Sequence, residues 1–463
     1  MIRKNSAART FLCLLLAFVF AASCLPQTIF ATTDKKTVTT WPEGPENNSG
    51  AVCLLDADTG AVLYDKNMDE QRYPASITKI LTALLIIENK QMTDTVTFGE
   101  HAVSESIPGN ARINVQLGET ITVEDALHAI LLASANEVCT QLAIDIAGSE
   151  EGFAAMMNER AAELGCTGTH FCNPCGLHED DHYTTAHDLY LIAKEAMKDA
   201  TFRDIVSTVQ HRMAKTNLHE ERIILTTNQL IFSSFQPWSY ANCLGIKTGH
   251  TSQAGNCFVG YAEYGDAKLF SVVLGCSSSS KEYPTVAASF TDTKSLCQWG
   301  FENFTSKTLA RQGEEVTYTK VKLSTDTNQV ILIAKNDLVS LLPKELDVKD
   351  LELQSDIPEE VAAPIKAGDT IGSVTYTYDG RDYGTVELVA LNDISRCTVL
   401  FYADKLSSFF QSIVFKVLLL AAAAFFLLHI FTGLVFGGVR RRRRRHSSRS
   451  RYNDSTYQRR HRK

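Results

Sequence analysis

The sequence lacks any set of cysteine and histidine residues at the spacing of a zinc site. It has twelve cysteines, and Cys172 and Cys175 form a C-x-x-C pair, but no second pair follows at zinc-finger spacing. The histidines between His170 and His187 match no zinc signature either. We therefore expect no metal and no cofactor. We interpret most cysteines as small buried apolar residues, because a chain of this size can bury enough core without a disulfide framework.

Acidic residues are nearly absent from the end of the chain. Residues 440–463 contain 12 of the 45 lysines and arginines but a single acidic residue, although the whole chain has a net charge of -8. The preceding stretch 417–439 has no polar face, and its 23 residues would span about 34 Å as a helix, enough to cross a bilayer. The arginines after it predict a cytoplasmic C-terminus, with 401–416 as a juxtamembrane segment. This anchoring explains the basic tail, so we expect no nucleic-acid partner.

The N-terminus has the pattern of a secretory signal peptide. Basic residues precede an apolar run from Phe11 to Ala22, which predicts an exported protein whose main part lies outside the cell membrane. We place the signal peptide at 1–31, although an earlier cleavage site or lipidation at Cys24 stays open. Residues 32–50 are polar and turn-rich, and we expect them to be a flexible mature N-terminus.

A serine and a lysine lie three residues apart at the start of a predicted helix. Pro74 and the apolar run after Lys79 indicate that the helix begins at or just before Ser76. On a helix this spacing brings the hydroxyl within reach of the amine, an arrangement that suits a nucleophile and its base. Alone, the pair favours a structural interpretation, in which Ser76 caps an ordinary buried helix and Lys79 is solvated, because Ser-x-x-Lys occurs by chance in many proteins.

Two further motifs strengthen the catalytic interpretation. Ser134-Ala135-Asn136 interrupts an apolar segment, and Lys247-Thr248-Gly249 follows Leu244-Gly245-Ile246. With the first motif they form the ordered set Ser-x-x-Lys, Ser-x-Asn and Lys-Thr-Gly of the serine penicillin-recognising enzymes.

The patterns around these motifs predict two domains before the membrane helix. Residues 51–304 read as a mixed α/β domain, with hairpins at 51–64 and 255–275 and a strand-like stretch at 95–117. We expect the first hairpin to pair with the strand that carries Lys247. Residues 305–400 alternate in short segments and predict a small all-β domain.

The motifs resemble the D-alanyl-D-alanine carboxypeptidases of the low-molecular-mass penicillin-binding protein type. The resemblance covers roughly 51–304, includes the segment 171–177, and extends more weakly through the β domain. It implies a β-lactamase/transpeptidase-like domain, in which helices flank an antiparallel sheet, followed by a β-rich domain. It also implies that the partners are peptidoglycan stem peptides, from which the enzyme removes the terminal D-alanine, β-lactam antibiotics and the cell membrane.

The resemblance assigns a role to each motif residue. The implied catalytic residues are the nucleophile, its base and a proton relay: Ser76, Lys79 and Ser134. The implied substrate-binding residues contact the amide, the terminal carboxylate and the developing oxyanion: Asn136, Lys247, Thr248, Gly249 and His250. Lys79 must be neutral to accept a proton, which burial or the neighbouring charge of Lys247 would favour.

Three alternatives stay open from the sequence. A DD-endopeptidase would use the same acyl chemistry on cross-links. A β-lactamase shares the motifs, although no glutamate motif for deacylation stands at a convincing place. A catalytically silent wall-binding scaffold is disfavoured by the intact motifs. The sequence also leaves Lys281 as the only nearby candidate for a further carboxylate-binding basic residue.

Overall fold

The computed structural model describes residues 41–107, 109–232, 236–276, 279–283 and 286–432. The predicted signal peptide and basic tail lie outside these described residues. The strands are β1 Ala51–Asp56, β2 Val62–Lys66, β3 Thr95–Thr97, β4 Thr120–Thr122, β5 Gln210–Met213, β6 Arg222–Leu225, β7 Cys243–Thr251, β8 Gly255–Tyr264, β9 Ala267–Cys276, β10 Phe304–Ala310, β11 Glu315–Lys322, β12 Gln329–Ala334, β13 Leu338–Pro343, β14 Glu352–Asp356, β15 Glu360–Ala362, β16 Thr370–Tyr378 and β17 Arg381–Ala390.

The helices lie mostly in the first domain. They are α1 Lys79–Asn89, α2 Glu100–Ser104, α3 Val123–Leu131, α4 Asn136–Ala147, α5 Glu150–Glu163, α6 Ala186–Ala196, α7 Ala200–Val206, α8 Gln229–Phe232, α9 Ala288–Asn303, α10 Thr398–Gln411 and α11 Ile413–Thr432. Short 3₁₀ turns occupy Ala75–Thr78 and Val348–Asp350.

The first domain is built on a five-stranded antiparallel sheet with the order β2-β1-β9-β8-β7. Successive residues of β1 point to opposite faces, as in any strand. Cys53 and Leu55 pack into the core that contains α1, whereas Val52 and Leu54 pack into the core beneath α9. The sheet is therefore covered by helices on both faces, and the predicted mixed α/β fold class is confirmed.

The predicted partner of the first hairpin is wrong. The hairpin β1–β2 forms, but β1 pairs with β9, with Ala51 opposite Leu274, and β7 lies at the other end of the sheet. The physical reason is that β7, β8 and β9 form a meander, which places β9 beside the completely buried β1. The terminal position of β7 brings Lys247 to a sheet edge instead of the sheet centre.

The stretch 95–117 also differs from its strand-like expectation. Among the described residues of this stretch only Thr95–Thr97 is a strand, paired with Thr120–Thr122, and α2 follows it. Gly99 precedes α2 in an extended conformation, and the Ala102 side chain on the inner face of this short helix is buried. The mixed polar and apolar pattern of this stretch did not predict the short helix α2.

The second domain is all β, as predicted. Its main sheet has the order β14-β16-β17-β12-β11-β15, and β10 pairs with β13. Residues such as Leu332, Tyr383 and Leu388 form its own buried core. The domain begins with Phe304, directly after α9 ends at Asn303.

A buried carboxylate joins the two domains. Asp56 Oδ2 accepts hydrogen bonds from Leu341 N at 2.9 Å, Ser340 Oγ at 3.2 Å and Thr59 Oγ1 at 2.8 Å. Because an ionised carboxylate strengthens each of these bonds, Asp56 fixes β13 against the end of β1.

Residues 41–50 are held against the catalytic domain, unlike the flexible segment that we expected. The Trp41 indole donates to Leu63 O at 3.0 Å, and Ser49 Oγ donates to Asp292 Oδ2 at 2.8 Å. The Trp41 ring also packs on Phe304, with ring centroids 5.3 Å apart. This packing and these hydrogen bonds offset the chain entropy that would otherwise keep such a polar segment mobile.

An apolar helix near the C-terminus fits a single-pass membrane anchor. Helix α11 begins at Ile413, four residues before the predicted start of the span, and its side chains are exposed. Residues 433–439 of the predicted span lie outside the described residues.

Candidate active site

The three motifs meet at one cleft of about 470 Å³ beside β7. Its lining includes residues from each motif and from three different parts of the fold: Ser76, Ser134, Thr248, Gly249 and His250. The nucleophile turn, the end of α3 and the terminal strand of the sheet therefore form the walls. Lys79, Asn136 and Lys247 lie behind this surface and are at least 96% buried, with relative exposures of 0%, 4% and 1%.

Ser76 and Lys79 have the relationship expected from their spacing. Ser76 lies in the 3₁₀ turn, and Lys79 is the first residue of α1. Lys79 Nζ donates to Ser76 Oγ at 3.1 Å, to Asn136 Oδ1 at 2.8 Å and to the Cys175 carbonyl oxygen at 2.5 Å. The two acceptors on Asn136 and Cys175 thus hold the buried amine beside the hydroxyl, so the rotamer entropy cost of ordering this lysine is met on folding and not on substrate binding.

Ser134 lies between α3 and α4, where the backbone adopts a positive φ of 62°. Ala75, just before Ser76, also has a positive φ, of 49°. Such conformations disfavour residues with a Cβ and tend to persist at functional sites. The buried Ser134 Oγ has no hydrogen-bond partner among the described residues, so a donor and acceptor is left free at the cleft wall.

Lys247 is a second buried amine. Its Nζ donates to the Thr248 carbonyl oxygen at 3.1 Å, and the Thr248 hydroxyl is 2.6 Å from the Thr227 hydroxyl. Burial first, and then repulsion from Lys79, lower the pKa of Lys247 from 10.5 to about 7. A bound carboxylate would favour the charged form again.

The lowered pKa of Lys247 predicts a pH-dependent stability. Between pH 7 and 10.5 the unfolded chain keeps this proton while the folded chain has lost it, so the free energy of unfolding rises with pH there. Below pH 7 both states carry the proton, and the contribution is constant. We expect Lys247→Met to remove this rise, which is up to about 1.4 kcal/mol per pH unit. Denaturant unfolding of both proteins in detergent between pH 6 and 9.5 measures it, and parallel pH curves would contradict the assignment.

The loop 171–177 supports Lys79 from behind. Asn173 Oδ1 accepts from Gly176 N at 2.8 Å and from Leu177 N at 3.1 Å, which folds the loop into a tight turn. The turn presents the Cys175 carbonyl oxygen to Lys79 and the Pro174 carbonyl oxygen to Thr82 Oγ1 at 2.7 Å. Main-chain acceptors of this loop thus position the base.

A buried histidine holds the same turn. His182 Nε2 is 2.9 Å from Thr78 Oγ1, and its Nδ1 accepts from Cys172 N at 3.1 Å. Burial lowers the pKa of His182 to about 4, so it is neutral at physiological pH. His182 is therefore a structural link between the loop and the nucleophile turn.

Gly176 has no room for a side chain. Its φ is +78°, and a Cβ would overlap the carbonyl group of Ala75, next to Ser76. Gly176→Ala should therefore lower the free energy of unfolding by about 3 kcal/mol, from the positive φ and the overlap together. It should also reduce penicillin labelling of Ser76, since the nucleophile turn must shift. Urea unfolding and fluorescent-penicillin labelling measure the two effects.

Gly165→Ala is the matched control for this substitution. Gly165 has a similar φ of +86°, but a Cβ there would meet no heavy atom within 4 Å. The free energy of unfolding of Gly165→Ala should fall by only about 1–2 kcal/mol, and penicillin labelling of Ser76 should be normal. Equal losses in the two variants would show that the contact with Ala75 is unimportant.

The structure brings the predicted site residues together at the cleft, whereas Lys281, the further candidate for carboxylate binding, lies outside it. Gly249 lies against the nucleophile turn, where a Cβ would be 2.9 Å from the Pro74 carbonyl oxygen. Lys281 is exposed and does not line the cleft.

Sequence patterns assigned no role in the site to Asn173, Gly176, His182 or Thr227. The Asn-Pro pair at 173 signals a turn, which is a usable clue. No local pattern indicates the contact of Thr227 with Thr248, because 21 residues separate them.

A Ser-x-x-Lys turn held against the terminal Lys-Thr-Gly strand of an antiparallel sheet defines a serine enzyme of the transpeptidase-like class. A family model described as D-alanyl-D-alanine carboxypeptidase matches residues 37–278. A second one, penicillin-binding protein 5, C-terminal domain, matches residues 304–396. The chain therefore belongs to the D-alanyl-D-alanine carboxypeptidase family and is an enzyme of this type, as the motifs predicted.

Individual relatives agree with this family. The chain is 32% identical over 349 residues to the D-alanyl-D-alanine carboxypeptidase DacF of Bacillus subtilis, a match that covers 74% of this chain and 85% of that protein. It is 29% identical over 402 residues to DacA of Escherichia coli, covering 85% and 93%. The solved structure of penicillin binding protein 5 from Haemophilus influenzae matches with a TM-score of 0.64 at 28% identity, over 76% of this chain and 99% of that one.

Proposed function

We propose that this enzyme removes the terminal D-alanine from peptidoglycan stem pentapeptides through an acyl-enzyme on Ser76. The observation that carries the proposal is the buried Lys79 amine, fixed 3.1 Å from Ser76 Oγ by Asn136 and the Cys175 carbonyl. A base within hydrogen-bond distance of a hydroxyl, itself oriented by other groups, is the arrangement that activates a serine nucleophile.

In the first step Ser76 Oγ attacks the carbonyl carbon between the two D-alanines. Lys79 in its neutral form accepts the hydroxyl proton. The backbone N–H groups of Ser76 and His250 form the oxyanion hole, which lowers the activation barrier of acylation by about 3 kcal/mol. Gly249 supports this geometry, because the missing side chain lets β7 lie close to the nucleophile turn.

The leaving group and the terminal carboxylate are handled by the other two motifs. The free Ser134 hydroxyl relays a proton to the amine of the departing D-alanine. Asn136 holds the substrate amide, and Lys247 with Thr248 binds the terminal carboxylate by charge and hydrogen bond. Water then attacks the ester carbonyl, releasing the shortened peptide and restoring Ser76.

We expect the same site to react with β-lactams, and two segments outside the site indicate where the enzyme acts. A β-lactam resembles the D-alanyl dipeptide and would acylate Ser76, from which it would be released slowly. The predicted signal peptide and the apolar helix Ile413–Thr432 support a topology in which the catalytic domain lies outside the membrane and the basic tail lies in the cytoplasm.

Mass spectrometry of the products from defined muropeptides tests the proposal. The full-length protein in detergent should release one D-alanine from a monomeric pentapeptide and leave a cross-linked dimer intact. Cleavage of the cross-link instead would identify an endopeptidase, and rapid hydrolysis of penicillin a β-lactamase. Inertness to both peptide and penicillin would identify a silent scaffold.

A further inference from the structure

A second cavity of about 550 Å³ adjoins the catalytic cleft. The two cavities share His250 and Asn256 in their linings, so a ligand can extend from one into the other. The second cavity lies between the segment before the nucleophile and the turn after β7. Its lining includes two groups of opposite charge, Arg72 and Asp180.

Strand β7 leads from the catalytic residues into this cavity. It passes the nucleophile turn at Gly249 and reaches the second cavity at His250 and Thr251. A substrate whose carboxylate lies at Thr248 and which extends along β7 toward Thr251 covers about 10 Å in three residues. The third residue from the C-terminus therefore reaches the second cavity.

Arg72 is a partly exposed cation at this cavity. Its Nη2 pairs with Glu70 Oε1 at 2.8 Å, whereas the buried Nε has no partner among the described residues. The guanidinium lies against Gly50, where a Cβ would be 3.0 Å from Arg72 Cζ. The Arg72 side chain keeps 33% of its surface exposed, and a planar cation that is partly exposed at a cavity wall suits recognition of a carboxylate.

Asp180 supplies the opposite charge at the cavity. Its side chain is almost completely exposed, and Oδ1 is 3.7 Å from His178 Nε2. That separation is too long for a hydrogen bond, so the carboxylate can accept one from a ligand ammonium group. The cavity thus offers one anionic and one cationic partner.

We propose that this cavity, which we call the Arg72 pocket, binds the amino-carboxylate end of a diamino acid side chain. The residue is the one that precedes the D-alanyl-D-alanine of the stem peptide. Arg72 binds its carboxylate and Asp180 binds its ammonium group. The inference rests on the proposed carboxypeptidase function and assigns the substrate class that this site prefers.

Three synthetic pentapeptides test the pocket with the full-length protein in detergent micelles. They differ only in the residue before D-alanyl-D-alanine, which is diaminopimelate, lysine or Nε-acetyl-lysine. The wild type should show a kcat/KM at least about tenfold higher for diaminopimelate than for lysine, mainly through KM, as expected for one charge-assisted contact. Arg72→Gln should bring this ratio near one. Asp180→Asn should instead reduce the ratio of lysine to acetyl-lysine.

Arg212→Gln is the matched control, because Arg212 is an exposed arginine paired with Glu221 outside the pocket. It should keep both ratios of the wild type. Fluorescent-penicillin labelling shows whether each variant is folded. If Arg72→Gln is not labelled, Asp180→Asn provides the test instead, because the Asp180 side chain is exposed.

The outcomes separate this inference from the proposed function. Equal kcat/KM for the three peptides, or unchanged ratios in labelled variants, would overturn the Arg72 pocket while D-alanine release still supports the carboxypeptidase. Release of D-alanine from none of them would overturn the proposed function and the pocket with it.

Discussion

Ser76→Ala should abolish both penicillin labelling and D-alanine release. The side chain lost is the only group in the proposed mechanism that forms a bond to the substrate, so we expect the rate to fall by at least about 10⁴-fold. The fold should persist, because Ser76 lies partly exposed at the cleft and alanine fits the same 3₁₀ turn. Product release by mass spectrometry and labelling with a fluorescent penicillin measure the loss.

Ser207→Ala serves as the control for this variant. Ser207 is exposed at the end of α7, and its hydroxyl donates to the Asp204 carbonyl oxygen. It should label and turn over like the wild type. Residual labelling of Ser76→Ala at the wild-type level would show that another residue is the nucleophile.

Lys79→Met should reduce the rate of acylation by about 10²–10⁴-fold, the usual contribution of a general base. Methionine has a similar length but cannot accept the proton of Ser76. The substitution also leaves the buried Asn136 Oδ1 and the Cys175 carbonyl without their lysine donor. Each such loss should lower the free energy of unfolding by about 1–3 kcal/mol. Stopped-flow acylation and urea unfolding measure the two effects separately.

Lys90→Met, directly after α1, is the matched control, because Lys90 is only partly buried and lies away from the cleft. It should preserve both acylation rate and stability. An acylation rate of Lys79→Met within a factor of about ten of the wild type would contradict the role of Lys79 as base.

The sequence was informative where the cause is local. A spacing of three positions from Ser76 to Lys79 is enough to bring their polar atoms together in a helical turn, and the structure places Lys79 Nζ 3.1 Å from Ser76 Oγ. The alternation and turn residues likewise predicted the hairpin of β8 and β9, because two strands joined by a tight turn have few other ways to pair.

Long-range pairing was harder to predict. The pattern of β1 shows a buried strand, but several strands could cover it, and the choice of β9 depends on the path of the whole chain. Asp56 illustrates the same limit, because its acceptors are used by Ser340 and Leu341 of another domain. The candidate site was predictable as a set of residues, whereas the supports from Cys175 and His182 depend on a loop that approaches from a distant part of the sequence.

The most direct test of the account is to locate the covalent adduct after brief incubation of the full-length protein with benzylpenicillin. Peptide mapping by mass spectrometry should find one penicilloyl group on Ser76 and none on the serines elsewhere in the chain. An adduct on a different residue, or no adduct at all, would contradict the central claim that Ser76, activated by Lys79, is the nucleophile.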